Sequence, residues 1–404
     1  MIEEYAKFID GGGLRELTRL AEEIKGVRIL HINSTKRGGG VAEILSRMVP
    51  LMRELGIETD WEVIKGSQEF FRVTKKMHNL LHMPTGESLG SEDVMLYMRQ
   101  TFENVRYVNT ENYDVVFVHD PQPLGLIVKK LKGQKWVWRC HIDISTPDRE
   151  TWKFLETFVN SYDACVFHIP EFVREGVKVP AFIIPPSIDP LHEKNVSLED
   201  SFVRETLEKF RIDPERNIVL QVSRFDRLKD PFGVIEAYRI VKRKHDCQLV
   251  LAGSFADDDP EGGQVYEEVL RMRGDDEDIF ILNLPPDSHR DINALQRGAT
   301  VVVQKSLREG FGLVVSEAMW KFKPVVGSNI GGIRRQIING TTGYLVNSVE
   351  GTAFRIKQLL TNKESRKRMG ENAHMRVKHS FLITRHLKDY LMLIHWLLKD
   401  SRKR

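Results

Sequence analysis

Short apolar runs recur along the chain with helical patterns between them, in two series. The first series comprises VRILHIN (27–33), VVFVHD (115–120), KWVWRC (135–140), ACVFHI (164–169) and AFIIPPS (181–187). The second comprises NIVLQVSRF (217–225), CQLVLAGS (247–254), IFILNLP (279–285), TVVVQKS (300–306), KPVVGSN (323–329) and GYLVN (343–347). Continuous apolar strands that alternate with helices are typical of parallel sheets covered on both faces. The pattern predicts an α/β fold with two doubly wound, Rossmann-like domains.

The stretch between the two series, 187–215, replaces the strand pattern with prolines and charges, which predicts a hinge. We therefore expect one domain over 1–200 and a second over 201–382. Apolar positions at helical spacing in 381–400 indicate a helix that packs into a core, and we expect the segment 383–404 to complete the first domain. Ligands of open parallel sheets bind outside the carboxyl ends of the strands, so two such domains should face an interdomain cleft.

Composition and charge narrow the class of protein. The 404 residues contain 60 Lys and Arg against 57 Asp and Glu, so the net charge of +3 provides no global field for nucleic acid or a membrane. Cys140, Cys165 and Cys247 show no metal-ligand spacing, which favours a reducing compartment and argues against a zinc site. The acidic N-terminus lacks an apolar signal core and no stretch reaches the ~20 apolar residues of a membrane span, so we expect a cytoplasmic protein. Abundant Glu, Lys and Arg would suit a thermophile.

Three consecutive glycines follow the first predicted strand. Gly38, Gly39 and Gly40 end where a helical pattern begins, and glycine permits positive φ and close backbone approach. The free amides of a helix N-terminus can bind an anion. A plain strand-to-helix turn explains the same residues equally well. The G-x-G-x-x-G spacing of a dinucleotide site is absent.

Polar residues follow several other strands. Arg224 and Lys229 come after the first strand of the second domain and could together neutralise a diphosphate, although a solvated basic loop is the alternative. In the first domain, two strands end in His119 with Asp120 and in His141 with Asp143, each of which could instead be a structural histidine or a capping aspartate. The three aspartates in SFADDDPEGG (254–263) indicate an acidic surface turn rather than a metal site.

A glycine-rich turn lies between two glutamates in the stretch SLREGFGLVVSEAM (306–319). The backbone amides of Gly310, Phe311 and Gly312 could approach a sugar or a phosphate, at the positive end of the helix that follows. Glu309 could accept hydrogen bonds from sugar hydroxyls. Glu317 could hold the two hydroxyls of a ribose, as carboxylates do in many nucleotide sites.

These stretches resemble a known family. REGFGLVVSEAM resembles the element of two glutamates with seven residues between them that is found in retaining GT-B glycosyltransferases, which include sucrose, glycogen and trehalose synthases. VSRFDRLKD is similar to that family's diphosphate clamp, and RGGGVAEIL to its N-terminal glycine loop. Within the family, VHDPQPLG, CHIDIS and PPSIDPL resemble the trehalose synthases of hyperthermophilic archaea and related trehalose phosphorylases. The resemblance covers nearly the whole chain.

The resemblance implies a GT-B fold and transfer of glucose from UDP- or ADP-glucose to glucose, with retention, giving trehalose. It implies that Asp120 orients the acceptor, that His141 holds the donor sugar near its 6-hydroxyl, and that the leaving phosphate takes the acceptor's proton. The expected catalytic residues are Arg224, Lys229, Glu309, Asp120 and His141. The expected substrate- and nucleotide-binding residues are Gly38, Gly39, Gly40, Asn283, Leu284, Gly310, Phe311, Gly312, Leu313 and Glu317.

The expected partners are a nucleotide sugar and glucose, and family habit suggests a homodimer. No cofactor is required, although a divalent ion such as Mg²⁺ could accompany the diphosphate. The chain departs from the family pattern at Phe322 and Lys323, which replace small residues, and at IRRQI (333–337), which replaces a more acidic helix start.

Other functions remain as alternatives. A trehalose phosphorylase would use phosphate in place of the nucleotide, and a related transferase would use a different acceptor. A sugar-nucleotide epimerase would not need the clamp together with an acceptor pocket, and a sugar-nucleotide sensor would not need Asp120. The missing glycine fingerprint argues against a dehydrogenase.

Overall fold

The computed structural model describes residues 2–9, 11–36, 39–83, 86–254 and 260–401. The chain divides into two compact units, Met1–Ser187 with Ile383–Arg404, and Ile188–Leu382. Each unit is built on one parallel sheet of six strands. Parallel strands need crossover connections, and helices supply them in both units.

The sheet of the first unit has the order β2-β1-β3-β4-β5-β6. Its strands are β1 (Arg28–Asn33), β2 (Glu58–Val63), β3 (Val115–His119), β4 (Lys135–Arg139), β5 (Ala164–Phe167) and β6 (Ala181–Ile183). Its α-helices are α1 (Gly13–Glu23), α2 (Gly39–Glu54), α3 (Gln68–His82), α4 (Ser91–Tyr107), α5 (Arg149–Val159) and, at the end of the chain, α14 (Ile383–Ser401). Short 3-10 helices lie at Ile2–Lys7, Leu124–Lys129 and Pro170–Phe172.

The sheet of the second unit has the order β12-β11-β10-β7-β8-β9. Its strands are β7 (Ile218–Val222), β8 (Gln248–Gly253), β9 (Ile279–Asn283), β10 (Val301–Gln304), β11 (Val325–Ser328) and β12 (Gly343–Val346). Its α-helices are α6 (Asp200–Lys209), α7 (Pro231–Lys242), α8 (Pro260–Arg273), α9 (His289–Gly298), α10 (Leu313–Trp320), α11 (Ile333–Gln336), α12 (Val349–Thr361) and α13 (Lys363–Ser380). A 3-10 helix, Arg227–Lys229, precedes α7.

The predicted strands are confirmed in both series, because each apolar run contains a strand of the corresponding sheet. β3, β5 and β7 are buried along their whole length, as the continuous apolar runs indicate. β2 was not predicted. Its sequence ETDWEV is polar and Glu58 and Glu62 are exposed, because the strand lies at the edge of the sheet and needs little apolar surface.

The C-terminal helix α14 packs into the core of the first unit, as its apolar spacing predicts. Leu387, Tyr390, Leu391 and Ile394 are fully buried. Cys140, Cys165 and Cys247 are buried free thiols. Among the described helices, none combines the length and the apolar character that crossing a membrane requires.

The boundary between the units falls at Ser187, earlier than residue 200. The reason is that the segment after Ile188 packs within the second unit. The side-chain oxygen of Asn195 accepts a hydrogen bond from Lys321 Nζ at 3.1 Å, and its carbonyl accepts one from Trp320 Nε1 at 3.2 Å.

Candidate active site

The second unit has a topological switch point between β7 and β10. These neighbouring strands are paired in parallel, and the chain proceeds outwards from them in opposite directions across the sheet. Loops that leave such a pair diverge to opposite faces and open a crevice at the carboxyl ends of the strands. The loop after β7 carries Arg224 and Lys229, and the loop after β10 carries Glu309 and the glycine-rich turn. The topology therefore brings together two motifs that are some 80 residues apart in the chain.

Three contacts tie these two loops to each other. The backbone N–H of Leu307 donates to the carbonyl of Leu228 at 2.7 Å. Lys305 forms a largely buried ion pair with Asp230, which precedes α7 as its N-cap residue and has a positive φ of 49°. Lys229 Nζ lies 2.8 Å from Glu309 Oε2, with side chains that are 18% and 10% exposed. The predicted cation and the predicted sugar-binding carboxylate thus form one ion pair.

The two oxygens of the Glu309 carboxylate have different surroundings. Oε2 accepts hydrogen bonds from Lys229 Nζ at 2.8 Å, Ser306 Oγ at 3.2 Å and Gln304 Nε2 at 3.5 Å. Within the described part of the chain, Oε1 has no such partner. Three donors hold the carboxylate by one oxygen, which leaves the other to accept a hydroxyl of a ligand.

Gln304 and Ser306 were not predicted as site residues. Gln304 is the last residue of β10, where it ends the apolar run VVVQ, and Ser306 lies three residues before Glu309. A buried polar residue at the carboxyl end of a strand is the signal that could have identified Gln304.

The glycine-rich turn leads into α10 through Gly312, whose φ of 80° is the left-handed conformation that favours glycine. Gln336 Nε2 donates to the carbonyl of Phe311 at 2.6 Å and to that of Gly312 at 3.2 Å. A Cβ on Gly332 would lie 2.3 Å from the Cα of Phe311, so only glycine allows this close approach. Leu313 is the first residue of α10. Gln336 belongs to the departure IRRQI, where sequence reasoning assigned it no role.

The two cations that are predicted to form a diphosphate clamp, Arg224 and Lys229, differ in exposure. The side chain of Arg224 is 68% exposed, and its NH2 lies 3.7 Å from Asp226 Oδ2. Lys229 is held from its backbone as well, because its carbonyl accepts a hydrogen bond from the buried Gln221 at 2.7 Å. The Asp226 carboxylate also caps the turn by accepting from the N–H of Leu228 at 2.7 Å. The loop thus carries one exposed and one anchored positive charge.

Glu317 lies on α10 with its side chain only 3% exposed. Its Oε1 is 3.9 Å from Lys194 Nζ, and its Oε2 accepts from Gln296 Nε2 at 3.4 Å. A ribose would therefore have to displace Lys194 or turn the carboxylate outwards to be held as predicted. Sequence reasoning did not identify Lys194 or Gln296.

Asn283 is the last residue of β9 and Leu284 follows it, at the edge of the sheet rather than at its switch point. Asn283 is exposed, and the N–H of Leu284 donates to the carbonyl of Gly253 at 2.7 Å. A base at this position would meet carbonyl oxygens or side chains, because this amide is already bonded.

The first unit has its own switch point, between β1 and β3. Asp120 directly follows β3 and has a φ of 65°, a left-handed conformation that is uncommon outside glycine and concentrates at functional sites. Its Oδ1 accepts a hydrogen bond from the backbone N–H of His141 at 2.7 Å, and its own N–H donates to the carbonyl of Arg139 at 2.8 Å. Burial raises the pKa of the Asp120 carboxyl to about 7, against the opposing effects of the His141 N–H and the Arg139 charge.

Three histidine side chains form a chain beside Asp120. His31 Nδ1 lies 3.0 Å from His119 Nε2, and His119 Nδ1 lies 2.9 Å from His141 Nε2. His31 and His119 are buried, whereas His141 is partly exposed. The predicted pair of strand endings, at His119 and at His141, is thus in direct contact. His31 lies within β1 and was not predicted.

The other polar candidates of the first unit take different places. Asp143 is buried and its Oδ1 accepts from the N–H of Ser145 at 2.8 Å, which is a local turn. Gly39 has a φ of 78° and begins α2 together with Gly40. Gly38 lies outside the described residues, as do the three aspartates of the acidic turn. In the ranges that the structure describes, no cluster of His, Cys, Asp and Glu has the composition of a metal site.

Two family models match the chain, one within each unit. The family model "Trehalose synthase, N-terminal domain" matches residues 31–174, and "Glycosyl transferases group 1" matches 202–376. The chain is 47% identical to the trehalose synthase of Thermococcus litoralis over 397 residues, 98% of this chain and 96% of that protein.

Solved structures show the same fold. Sucrose-phosphate synthase from Thermosynechococcus elongatus has a TM-score of 0.74 at 17% identity, over 92% of this chain and 100% of that one. Anabaena HepE in complex with UDP-glucose has a TM-score of 0.69 at 16% identity, over 91% of this chain and 98% of that one. The two parallel six-stranded sheets with their switch-point loops are those of a GT-B glycosyltransferase. Within that class, the chain belongs to the trehalose synthase family.

The raised pKa of Asp120 predicts a pH-dependent stability difference for Asp120→Asn. Folding raises the pKa from 3.8 to about 7, so the folded state disfavours the ionised form and loses stability as pH rises between these values. Asparagine keeps an oxygen for the His141 N–H, tolerates the left-handed φ and carries no charge. The difference in melting temperature, variant minus wild type, should increase by a few degrees between pH 4 and pH 7 and should stay constant above pH 7. A difference that is constant from pH 4 to 8 would show that burial does not perturb this carboxyl.

Proposed function

We propose that the protein transfers glucose, with retention of configuration, from a nucleoside-diphosphate glucose such as UDP- or ADP-glucose to free glucose, forming trehalose and a nucleoside diphosphate. The family to which the chain belongs supports a trehalose-forming glycosyltransferase. The observation that carries the proposal is the Lys229–Glu309 ion pair at the switch point, because it joins a phosphate-binding cation to a sugar-binding carboxylate.

The diphosphate of the donor binds to Arg224, Lys229 and the amides of the glycine-rich turn in this proposal. The arginine can contact two phosphate oxygens at once and is exposed enough to swing onto the ligand. Lys229 Nζ, already oriented by Glu309, needs little reorganisation to meet the phosphate. The amino end of α10 adds a further positive potential. These groups would stabilise the charge that develops on the leaving oxygen.

The glucosyl group lies next to Glu309, whose unoccupied Oε1 accepts one of its hydroxyls. Glu317 holds the ribose after displacement of Lys194, and the base lies near Asn283 and Leu284. HepE binds UDP-glucose on the same fold, which supports a nucleotide sugar as the ligand.

The acceptor glucose is held by Asp120, whose second carboxylate oxygen has no hydrogen bond within the described part of the chain. The bond from the anomeric carbon to the phosphate oxygen breaks, and a bond to the acceptor oxygen forms on the same face. The acceptor's proton passes to the leaving phosphate, so no protein carboxylate needs to become a covalent nucleophile. A divalent ion could bind to the free diphosphate, although the transfer as proposed does not depend on it.

A direct test incubates the pure protein with UDP-glucose or ADP-glucose and a panel of sugar acceptors. Release of nucleoside diphosphate is measured, and the sugar product is resolved by NMR. We expect trehalose with glucose as the acceptor and α configuration at both anomeric carbons. Release without transfer, or transfer only to a sugar phosphate or a glucan, would agree with the proposed donor site but would overturn the assignment of glucose as the acceptor.

A trehalose phosphorylase is the main alternative, and the same assay separates it. Trehalose with inorganic phosphate should give no glucose phosphate if the proposal is right. Glucose phosphate formed without any nucleotide would show that the protein is a phosphorylase and not a synthase.

The clamp predicts that Arg224→Ala and Lys229→Ala lower turnover more than they lower nucleotide affinity. Each loses a charge that interacts most strongly with the leaving oxygen, so ~2 to 4 kcal/mol of transition-state stabilisation, about 30- to 1000-fold in kcat, should be lost. Steady-state kinetics and calorimetric binding of UDP measure the two effects.

Arg227 provides a matched control on the same loop. Its side chain is 51% exposed and pairs with Glu268 at 2.6 Å instead of the glycine-rich turn. Arg227→Ala should change kcat less than twofold. Equal losses in all three variants would mean that the loop acts through its overall charge or folding, not through the clamp.

A further inference from the structure

We propose that the buried end of a line of three histidine rings, at His31 in the first sheet, sets the tautomer of His141 through His119, so that His141 presents an N–H donor at Nδ1 to a hydroxyl of the bound sugar. His31 and His119 are then positioning residues for the site. The identity of the ligand rests on the proposed function, whereas the tautomer itself does not.

The three rings are connected by short contacts in a single line. His31 Nδ1 lies 3.0 Å from His119 Nε2, and His119 Nδ1 lies 2.9 Å from His141 Nε2. Burial lowers the pKa of His31 to about 3 and holds those of His119 and His141 well below the ordinary value. All three rings are therefore neutral, and each carries one N–H.

Two arrangements of protons satisfy both contacts. In one, His141 Nε2 donates to His119 Nδ1, and His119 Nε2 donates to His31 Nδ1, so that the last proton lies on His31 Nε2. In the other, His31 Nδ1 donates to His119 Nε2, and His119 Nδ1 donates to His141 Nε2. The second arrangement leaves the last proton on His141 Nδ1. Because each ring has one N–H, the choice at one end of the line determines the choice at the other.

The surroundings of His31 Nε2 decide between the two. This nitrogen is buried and has no hydrogen-bond partner among the described residues. The ring stacks on Phe117, with centroids 4.9 Å apart and planes inclined by 13°, and lies 6.2 Å from the ring of Tyr390. A buried N–H without an acceptor is rarer in proteins than an unused acceptor. The proton therefore lies on His31 Nδ1, which selects the second arrangement.

The consequence appears at the exposed end of the line. His141 Nδ1 makes no hydrogen bond within the described residues, and it is not one of their buried side-chain nitrogens that lack a partner, so part of its surface reaches solvent. It presents an N–H, while Asp120, bonded to the backbone N–H of the same residue at 2.7 Å, presents a carboxylate oxygen. One donor beside one acceptor complements sugar hydroxyls, which both accept and donate. A reversed tautomer would place two acceptors side by side and lose this match.

Nitrogen NMR of histidine-labelled protein tests the tautomer directly, without a substrate. The His141 resonances are assigned by their loss in His141→Gln. We expect a protonated Nδ1 and an unprotonated Nε2 for His141 in the wild type. A protonated Nε2 in the wild type would overturn the proposal.

Two variants test the control through the line of rings. His31→Asn places an amide donor where Nδ1 lies, and the opposite amide orientation would bury an N–H without an acceptor, so the His141 tautomer should remain as in the wild type. His119→Leu removes the N–H that His141 Nε2 accepts, and the His141 signals should then show a mixture of tautomers or the reversed one. An unchanged tautomer in His119→Leu would contradict the control through His119. Should that variant fail to fold, the comparison of wild type with His31→Asn still decides, since a changed tautomer in His31→Asn would also contradict the proposal.

Kinetics give an independent readout. His119→Leu should lower kcat/KM for the sugar about 10-fold, the effect of one lost hydrogen bond. The affinity for UDP should not change, and His31→Asn should stay within about twofold of wild type. Equal activity of His119→Leu and wild type would overturn the role at the sugar. Absence of trehalose synthesis together with the expected tautomers would refute the proposed function alone.

Discussion

Parallel strands that are covered on both faces leave a protein only one place for polar chemistry, the ends of the strands. The interiors of β3, β5 and β7 are fully buried, so a charged side chain there would lose its hydration without compensation. Almost every candidate residue of this chain accordingly follows a strand. The reversal of the strand order then determines which strand ends form the site, those of β1 and β3 in one unit and those of β7 and β10 in the other. The Rossmann architecture thus determines where the site lies, whichever side chains are present there.

Electrostatics explain how the second unit keeps its site in order. Lys229 and Glu309 form an ion pair at 2.8 Å, so neither charge is buried without a partner. Ser306 and Gln304 donate hydrogen bonds to the same carboxylate oxygen, and the ion pair of Lys305 with Asp230 connects the two loops. A ligand that brings a phosphate and a hydroxyl meets groups that are already in place. Such preorganisation is how proteins stabilise charge that develops during a reaction.

The sequence allowed the fold and the principal motifs to be predicted, because strand periodicity and the position of polar residues after strands are local signals. It did not allow the partners of those motifs to be predicted. Gln336, Lys194 and Gln296 reach their contacts only through tertiary packing, and His31 lies inside an apolar strand where it reads as a core residue. β2 was missed because an edge strand can be polar. The predicted boundary at residue 200 lies later than the boundary at Ser187, because the segment after Ser187 looks like a linker but packs within the second unit.

A crystal structure of the protein with UDP tests the central claim most directly. The account predicts the diphosphate within hydrogen-bonding distance of Lys229 Nζ and the Arg224 guanidinium, beside the amides of the glycine-rich turn, with Glu309 still within reach of Lys229. A diphosphate bound elsewhere on the second unit, with the Lys229–Glu309 pair untouched and Arg224 still turned to solvent, would contradict it.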